Sequence, residues 1–506
     1  MDSGLSWADQ WDYNSDPPPN SSKDDDKKKK KKEDASKSSL GKAFKWVKEL
    51  RKKSEKGCLE VTRVLEKHLY VIMENKVEIL SREVIKPSSP TPNDMRILNL
   101  SLLDILSSPT YTGALLFYSA DPHNLLGSSS EETSLKLKKS LSKTLPIFYP
   151  LAGRITGSFI QCNDEGAVFI EAKVDHLLSE FLKCPVPESL EPLIPVEALS
   201  REAVTWPVLL IQANFFSCGG LVITICVSHK ITDATSLALF IRGWAESTRG
   251  FGITMIPSFT ASKFFPPPPD ELPLKQMDHK GVVEEMKCVT KRFVFDALKI
   301  KKLRDKASSN LVKNPTRVEA VTALFWRCAT KASRLSSSTT RTSVLLIPVS
   351  IRGKVDSLPE NTIGNILSIM ILKNQEGMLD GIQDVVNELR KTKEIFSLNC
   401  KEMSSSRVLE SLEEIGKAYG RGNEMDLWMS NSWCKLGMYE ADFGWGKPVW
   451  VTGRGTSSFK NFMLLIDAKD GNGIEAWITL MDKHMSLFEC DEELLESASL
   501  NPPLLI

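Results

Sequence analysis

Residues 221–244 read LVITICVSHKITDATSLALFIRGW. Leu221 to Val227 is apolar but for Thr224 and rich in β-branched side chains, the pattern of a strand buried on both faces. From Ala234 the period changes, and Leu237, Phe240, Ile241 and Trp244 recur at helical spacing. Between them the tight loop Ser228 to Asp233 carries a histidine and, four residues on, an aspartate placed to cap the coming helix. Strand, loop and helix in that order predict an α/β body. Strand-end loops of such bodies are where ligands approach, because the scaffold is rigid while the loop keeps its side chains accessible.

Short strands alternate with amphipathic helices on either side of this unit. Residues 134–145 are helix-patterned through Leu137, Leu141 and Leu145, and FYPLAGR at 148–154 leads into an extended stretch. KFFPPPPDELPL at 263–274 can continue neither a helix nor a central strand, because successive prolines remove backbone donors. It marks an inter-domain crossover over 263–285. Helical periodicity returns at Phe295 to Ser308 and Val318 to Ala332, and a strand is expected at Val344 to Val349. NFMLLIDAK and IEAWITLM flank Asp470 to Gly473, which reads as a hairpin. A calcium loop at Asp467, Asp470 and Asn472 would need a glutamate at position twelve that the spacing lacks. The expected domains are 73–262 and 286–506.

The whole chain has 506 residues, 42% hydrophobic, with 65 Lys plus Arg against 64 Asp plus Glu and a net charge of +1. A dedicated nucleic-acid binder needs a basic surplus to displace counterions, and there is none. The longest apolar runs, about seven residues, are far short of a bilayer span of roughly 20, so no membrane segment is expected. The acidic, polar start lacks a secretory signal. The ten cysteines show no CxxC pair, and contexts such as Cys226 suggest buried reduced thiols and a cytoplasmic protein. Residues 1–72 differ from the body. Asp24 to Asp26 and Lys27 to Lys32 cannot offset chain entropy by burial, so a disordered Lys-rich extension is expected. It includes amphipathic helices between Phe44 and Tyr70, and Met73 is a second potential start. The lysine run usually means a solvated tail, with a nuclear fraction as the sharper alternative.

Of the six histidines, only His229 ends a buried strand. An imidazole with an ordinary pKa of about 6.5 can take a proton from an alcohol or amine at neutral pH. A plainer reading also fits: a loop histidine bonded to backbone, beside an aspartate that merely caps a helix. The second motif, Asp442 to Gly446 (DFGWG), suits a turn whose glycines adopt positive φ, and its plain reading is a structural corner.

His229-Lys-Ile-Thr-Asp233 and Asp442-Phe-Gly-Trp-Gly446, in that order and widely separated, resemble the HxxxD and DFGWG motifs of the BAHD family of plant acyl-CoA-dependent acyltransferases. Supporting strings are TLPIFYPLAGR (144–154), RVEAVTALFW (317–326), the Arg352 segment and IGN (363–365). SSPTP (88–92), NSWCKLGMYEADFGWGKP (431–448) and GIEAW (473–477) are similar to the vinorine synthase-like branch, whose members often acetylate alkaloids and other specialised alcohols. The extension before Met73 has no counterpart in typical members.

The resemblance implies two chloramphenicol acetyltransferase-like α/β domains, each a mixed sheet with flanking helices, with a solvent channel between them. It implies acetyl-CoA or another acyl-CoA as co-substrate, no permanently bound cofactor, no metal and no covalent intermediate, in a monomer acting on a small-molecule alcohol. His229 is then the general base. Asp233 and Asp442 complete the catalytic motif set as supports: Asp233 pairs with an arginine, for which Arg352 is the candidate, and Asp442, Gly444, Trp445 and Gly446 hold the fold on the coenzyme side. Relatives place a Thr and a Trp for the oxyanion where Asn431 and Trp433 stand, and Asn365 and Lys447 fall on the coenzyme side. N-acylation of an amine or polyamine shares every motif, and a catalytically silent ligand-binding relative is a further alternative. A serine hydrolase would need GxSxG, and a kinase would need a Gly-rich loop and HRD; neither is found.

Overall fold

The computed structural model describes residues 77–120, 129–199, 207–267, 288–337, 341–374, 381–419, 425–455 and 460–504. The extension, Met73, His68, His123, His279 and most of the proline-rich crossover lie outside them.

Leu221–Ser228 is the hub of a six-stranded sheet. All eight of its residues are buried, and it pairs antiparallel with both Leu209–Phe216 and Tyr111–Tyr118. The spatial order is Val77–Ile85, Ala167–Val174, Leu209–Phe216, Leu221–Ser228, Tyr111–Tyr118 and Trp450–Gly453. One pair, Ala167–Val174 with Leu209–Phe216, is parallel. Helices Ser130–Thr144 and Ala234–Thr248 cover one face, where Leu137, Leu141, Leu237, Phe240 and Trp244 join Ile223, Ile225 and Val227 in one core. Burying each such side chain stabilises by about 1.5–3 kcal/mol. The other face, with Leu115, Phe117, Val222 and Cys226, meets Ile466 and Trp477 of a second sheet. The central strand is mostly apolar because both of its faces are covered, and its buried Thr224 hydroxyl donates to the Leu193 carbonyl.

The second sheet has seven strands in the order Leu367–Asn374, Thr342–Ser350, Met425–Ser432, Phe462–Asp467, Ile474–Met481, Cys288–Phe295 and Ser499–Leu500. It is also mixed: Met425–Ser432 runs parallel to both neighbours. Helices Ala297–Ala307, Arg317–Leu335 and Ile382–Cys400 pack on it. The first two and Thr342–Ser350 occupy the segments that periodicity marks. The hairpin is present: Phe462–Asp467 pairs antiparallel with Ile474–Met481, and Asp470 Oδ1 accepts from the Asn472 and Gly473 N–H groups in the turn.

Trp450–Gly453 returns to the first sheet and pairs with Tyr111–Tyr118, so residues from both halves of the chain build that sheet. Trp450 lies with its ring centroid 4.7 Å from that of Phe117. Its indole N–H donates to Glu475 Oε2, which also accepts from Arg292 Nε at 2.7 Å. Nine described cysteines are free. Cys162, Cys226, Cys328 and Cys400 are buried, but Cys218, Cys288 and Cys490 are exposed. Cys218 sits in a turn and Cys288 opens a strand, so burial does not extend to every thiol. No helix among the described residues is long and apolar enough to cross a membrane.

Candidate active site

Strand Leu221–Ser228 ends in the site. The His229 N–H donates to the Thr110 carbonyl, and Ser228 pairs with Tyr111, so the loop leaves the sheet in a fixed direction. His229 itself is half-buried. Asp233 caps helix Ala234–Thr248 as its position predicts, Oδ1 accepting from the Ser236 N–H at 2.8 Å.

Asp233 does more than cap. Arg352 meets it with both terminal nitrogens, Nη1 at 2.6 Å from Oδ2 and Nη2 at 3.1 Å from Oδ1. The pair is almost fully sealed, with side chains 5% and 1% exposed. Arg352 also donates to the Thr362 and Gly364 carbonyls, and the Ile366 N–H donates to Asp233 Oδ2. A buried charge pair holds only when its remaining hydrogen-bonding groups are satisfied. Here they are satisfied by the turn at 362–366, so Asp233 and Arg352 lock that turn to the histidine loop.

The turn delivers Asn365. Gly364 adopts φ +138°, and a Cβ there would come within 3.3 Å of an Asp104 carboxylate oxygen and of Ala261. Asn365 Nδ2 donates to the His229 carbonyl at 2.6 Å and to Asp104 Oδ1 at 3.0 Å. Both partners are acceptors, which fixes the amide's orientation. Its Oδ1 faces His229 Nδ1 at 2.8 Å. An amide oxygen cannot donate, so Nδ1 carries the proton and Nε2 of the neutral ring keeps its lone pair. That is the tautomer a general base needs.

Asp104 anchors the far end. It belongs to a capping box with Ser101, accepting from the Ser101 N–H and hydroxyl, and it also accepts from the Asn365 N–H. Burial pushes its carboxyl pKa up, against hydrogen bonds from Ser101 and Asn365 that pull it down. Sequence reading missed Asp104: it lies in a four-residue helix with no motif around it. Asn365 was expected on the coenzyme side, but its side chain is bonded to His229.

The other expected residues lie apart from the imidazole. Asp442 Oδ1 accepts from the Gly444 and Gly446 N–H groups at 2.7 and 3.0 Å. Phe443 is buried between Trp244 and Trp445, and the Tyr118 hydroxyl donates to the Ala441 carbonyl. The motif is a corner clamped to the first sheet and its helix. Lys447 is exposed and pairs with Glu440. Asn431 is the residue before the last in strand Met425–Ser432, with its Oδ1 sealed and unpaired. Trp433 packs its ring edge 3.7 Å from where a Gly453 Cβ would lie. Elsewhere, Cys328, Asp491 and Glu493 bring potential ligand atoms together, but Lys331 pairs with Asp491, and Arg327 and Lys306 with Glu493.

Comparison with known proteins shows the family of the chain. The model of the Transferase family matches residues 75–495. The BAHD acyltransferase BIA1 of Arabidopsis thaliana is 40% identical over 85% of this chain and 100% of its own length. Salutaridinol 7-O-acetyltransferase of Papaver somniferum is 34% identical over 83% of this chain and 98% of its own. A Strychnos nux-vomica relative named 17,18-epoxy-17-hydroxycur-19-ene N-malonyltransferase is 35% identical over 84% and 91%. Among solved structures, vinorine synthase superposes with a TM-score of 0.72 at 33% identity, covering 84% of this chain and 99% of that one. The chain belongs to the BAHD acyltransferase family and is an acyl-transferring enzyme.

Proposed function

We propose that the enzyme transfers an acyl group, acetyl in the simplest case, from an acyl-CoA to a hydroxyl of a plant specialised metabolite. His229 is the base. Its Nε2 takes the acceptor's O–H proton as that oxygen attacks the thioester carbonyl. The tetrahedral oxyanion collapses, the C–S bond breaks, and the thiolate leaves with the proton from the imidazolium, so ester and free CoA thiol balance the reaction. Trp433 and Asn431 are the donors assigned to the oxyanion, and Asp233, Arg352, Asn365 and Asp104 position the histidine. Nothing in this sequence of steps calls for a covalent acyl-enzyme.

The observation that carries this reading is the tautomer of His229, set by an amide whose orientation two acceptors fix. The relatives' printed names support O-acetyl transfer most often, and one names N-malonyl transfer, so acylation of an amine is the second reading. The free thiols support a cytoplasmic setting, and we assign a monomer. The test is incubation of the full chain with acetyl-CoA and a panel of alcohols and amines, followed by free thiol and product mass. Thiol release that requires an alcohol supports the first reading, release that requires an amine supports the second, and no release with any pair overturns both.

A further inference from the structure

Two carboxylates are buried around His229, and they are compensated differently. Asp233, 1% exposed, has the Arg352 guanidinium on both of its oxygens. Asp104, 3% exposed, has no lysine or arginine nitrogen at ion-pair distance among the described residues. Of the charged groups on the elements around it, Lys230 donates from Nζ to the Ile105 carbonyl, Arg352 is held by Asp233, and Lys263 on the short helix Ala261–Phe264 is exposed.

Asp104 is nevertheless arranged to be ionised. Its Oδ1 accepts from the Asn365 backbone N–H at 2.8 Å and from Asn365 Nδ2 at 3.0 Å. Its Oδ2 accepts from the Ser101 hydroxyl at 2.6 Å and the Ser101 N–H at 3.1 Å. Both contacts on Oδ1 can only donate, so a proton there would face two donors. A buried anion without a cation is costly even when hydrogen-bonded, and burial accordingly pushes this carboxyl pKa up.

The cation that answers it is transient. His229 is neutral before it takes the acceptor's proton and an imidazolium afterwards. Its Nδ1–H then points at Asp104 through one amide: Nδ1 donates to Asn365 Oδ1 at 2.8 Å, and Asn365 Nδ2 donates to Asp104 Oδ1 at 3.0 Å. The two bonds run head to tail. When the ring gains charge its N–H becomes the stronger donor, which polarises the amide and strengthens the bond at its nitrogen.

We propose that Asp104 is the counter-ion of the His229 imidazolium, acting through Asn365. Its charge stabilises the ring more after proton transfer than before, which contributes to the rate beyond holding the ring in place. Asp104 touches no substrate and is a positioning residue. The assignment rests on the acyl-transfer reading and deepens it.

The test is the pH dependence of kcat and kcat/KM, measured by thiol release with acetyl-CoA and an acceptor active in the panel, for full-chain wild type, Asp104→Asn and Asp104→Glu, with melting curves as the fold check. In Asp104→Asn the imidazolium loses its anion. The acid limb of kcat/KM should move down by about one pH unit, and kcat on the plateau should fall about tenfold with a smaller change in KM. A residue that only shapes the loop would lower the plateau and leave the limb in place. Asp104→Glu keeps the charge and must keep the limb at the wild-type pH, whatever its longer arm does to kcat. The proposal is overturned if Asp104→Asn retains kcat, or loses it with the limb unmoved. Should Asp104→Asn not fold, NMR titration of 15N-histidine-labelled wild type and Asn365→Ala replaces it, the His229 signal being identified by its loss in His229→Ala. With the amide bridge cut, the ring must give up its proton at a lower pH than in wild type, and equal titrations overturn the pairing. If wild type releases no thiol with any acceptor, the acyl-transfer reading fails, while the NMR titration still decides whether Asp104 and His229 are paired.

Discussion

Asn365 grips His229 at two points: its Oδ1 lies 2.8 Å from the ring Nδ1 and its Nδ2 2.6 Å from the backbone carbonyl. One side chain therefore fixes both the ring's tautomer and the loop that carries it. On the proposed mechanism the ring is the base, and His229→Ala should lower kcat by about 10²–10⁴ while the melting temperature stays near wild type. Turnover at a wild-type rate in the thiol-release assay would end the base assignment.

Asn365→Ala isolates the positioning effect. The ring remains, but nothing holds the proton on Nδ1, so a fraction of molecules presents Nε2 already protonated. The expected result is a drop in kcat of about tenfold or more, with a smaller change in KM. A rise in KM with kcat untouched would show that Asn365 serves binding and does not orient the imidazole.

The reach of this network explains what the sequence reveals and what it hides. Leu221 to Trp244 discloses strand, loop and helix because burial on both faces and the shift to helical spacing are local signals, and Asp233 caps the helix through an N–H only three residues away. Asp470 to Gly473 is legible for the same reason. His229 and Asn365 are 136 residues apart, and Asn365 and Asp104 are 261 apart; no periodicity links such partners. Arg352 could be named only through the family likeness. The return of Trp450–Gly453 to the first sheet was equally hidden, since four apolar or small residues fit either sheet and only tertiary packing decides.

Arg352→Ala leaves the Asp233 carboxylate sealed without its cation. Breaking a buried pair from one side costs about 3–5 kcal/mol, and the turn holding Asn365 loses two donors as well. Chemical denaturation should show a loss of that size, and the surviving folded fraction should be slow because Asn365 is displaced. A loss below about 1 kcal/mol, the range of exposed pairs, would mean that the pair does not lock the loop.

Asp442→Ala tests the corner. Two backbone N–H groups lose their acceptor, at about 0.5–1.5 kcal/mol for each hydrogen bond, and Gly444, at φ +101°, is left in a left-handed conformation without its tether. Soluble yield and melting temperature should fall, while activity per folded molecule is kept if Asp442 acts only as the acceptor of these two N–H groups. Unchanged stability with lost turnover would reverse that division of labour.

Glu319 gives a pH test away from the site. Burial alone would raise its carboxyl pKa, but the Arg390 fork at 2.6 and 2.9 Å, the Thr316 N–H and the charges of Arg390 and Lys393 outweigh burial and hold it below the usual carboxylate range. A folded-state pKa below the unfolded one means that the unfolded chain binds the extra proton first. The stabilisation is therefore present above the ordinary glutamate value of about 4.3 and disappears as pH falls through the depressed one. Glu319 also closes the capping box of helix Arg317–Leu335, so protonation weakens the helix start and its tie to Ile382–Cys400 together. Wild type should lose melting temperature steeply below about pH 4.3. Glu319→Gln should start lower and fall less over the same window, and two parallel curves would show that the Arg390 fork contributes nothing to acid stability.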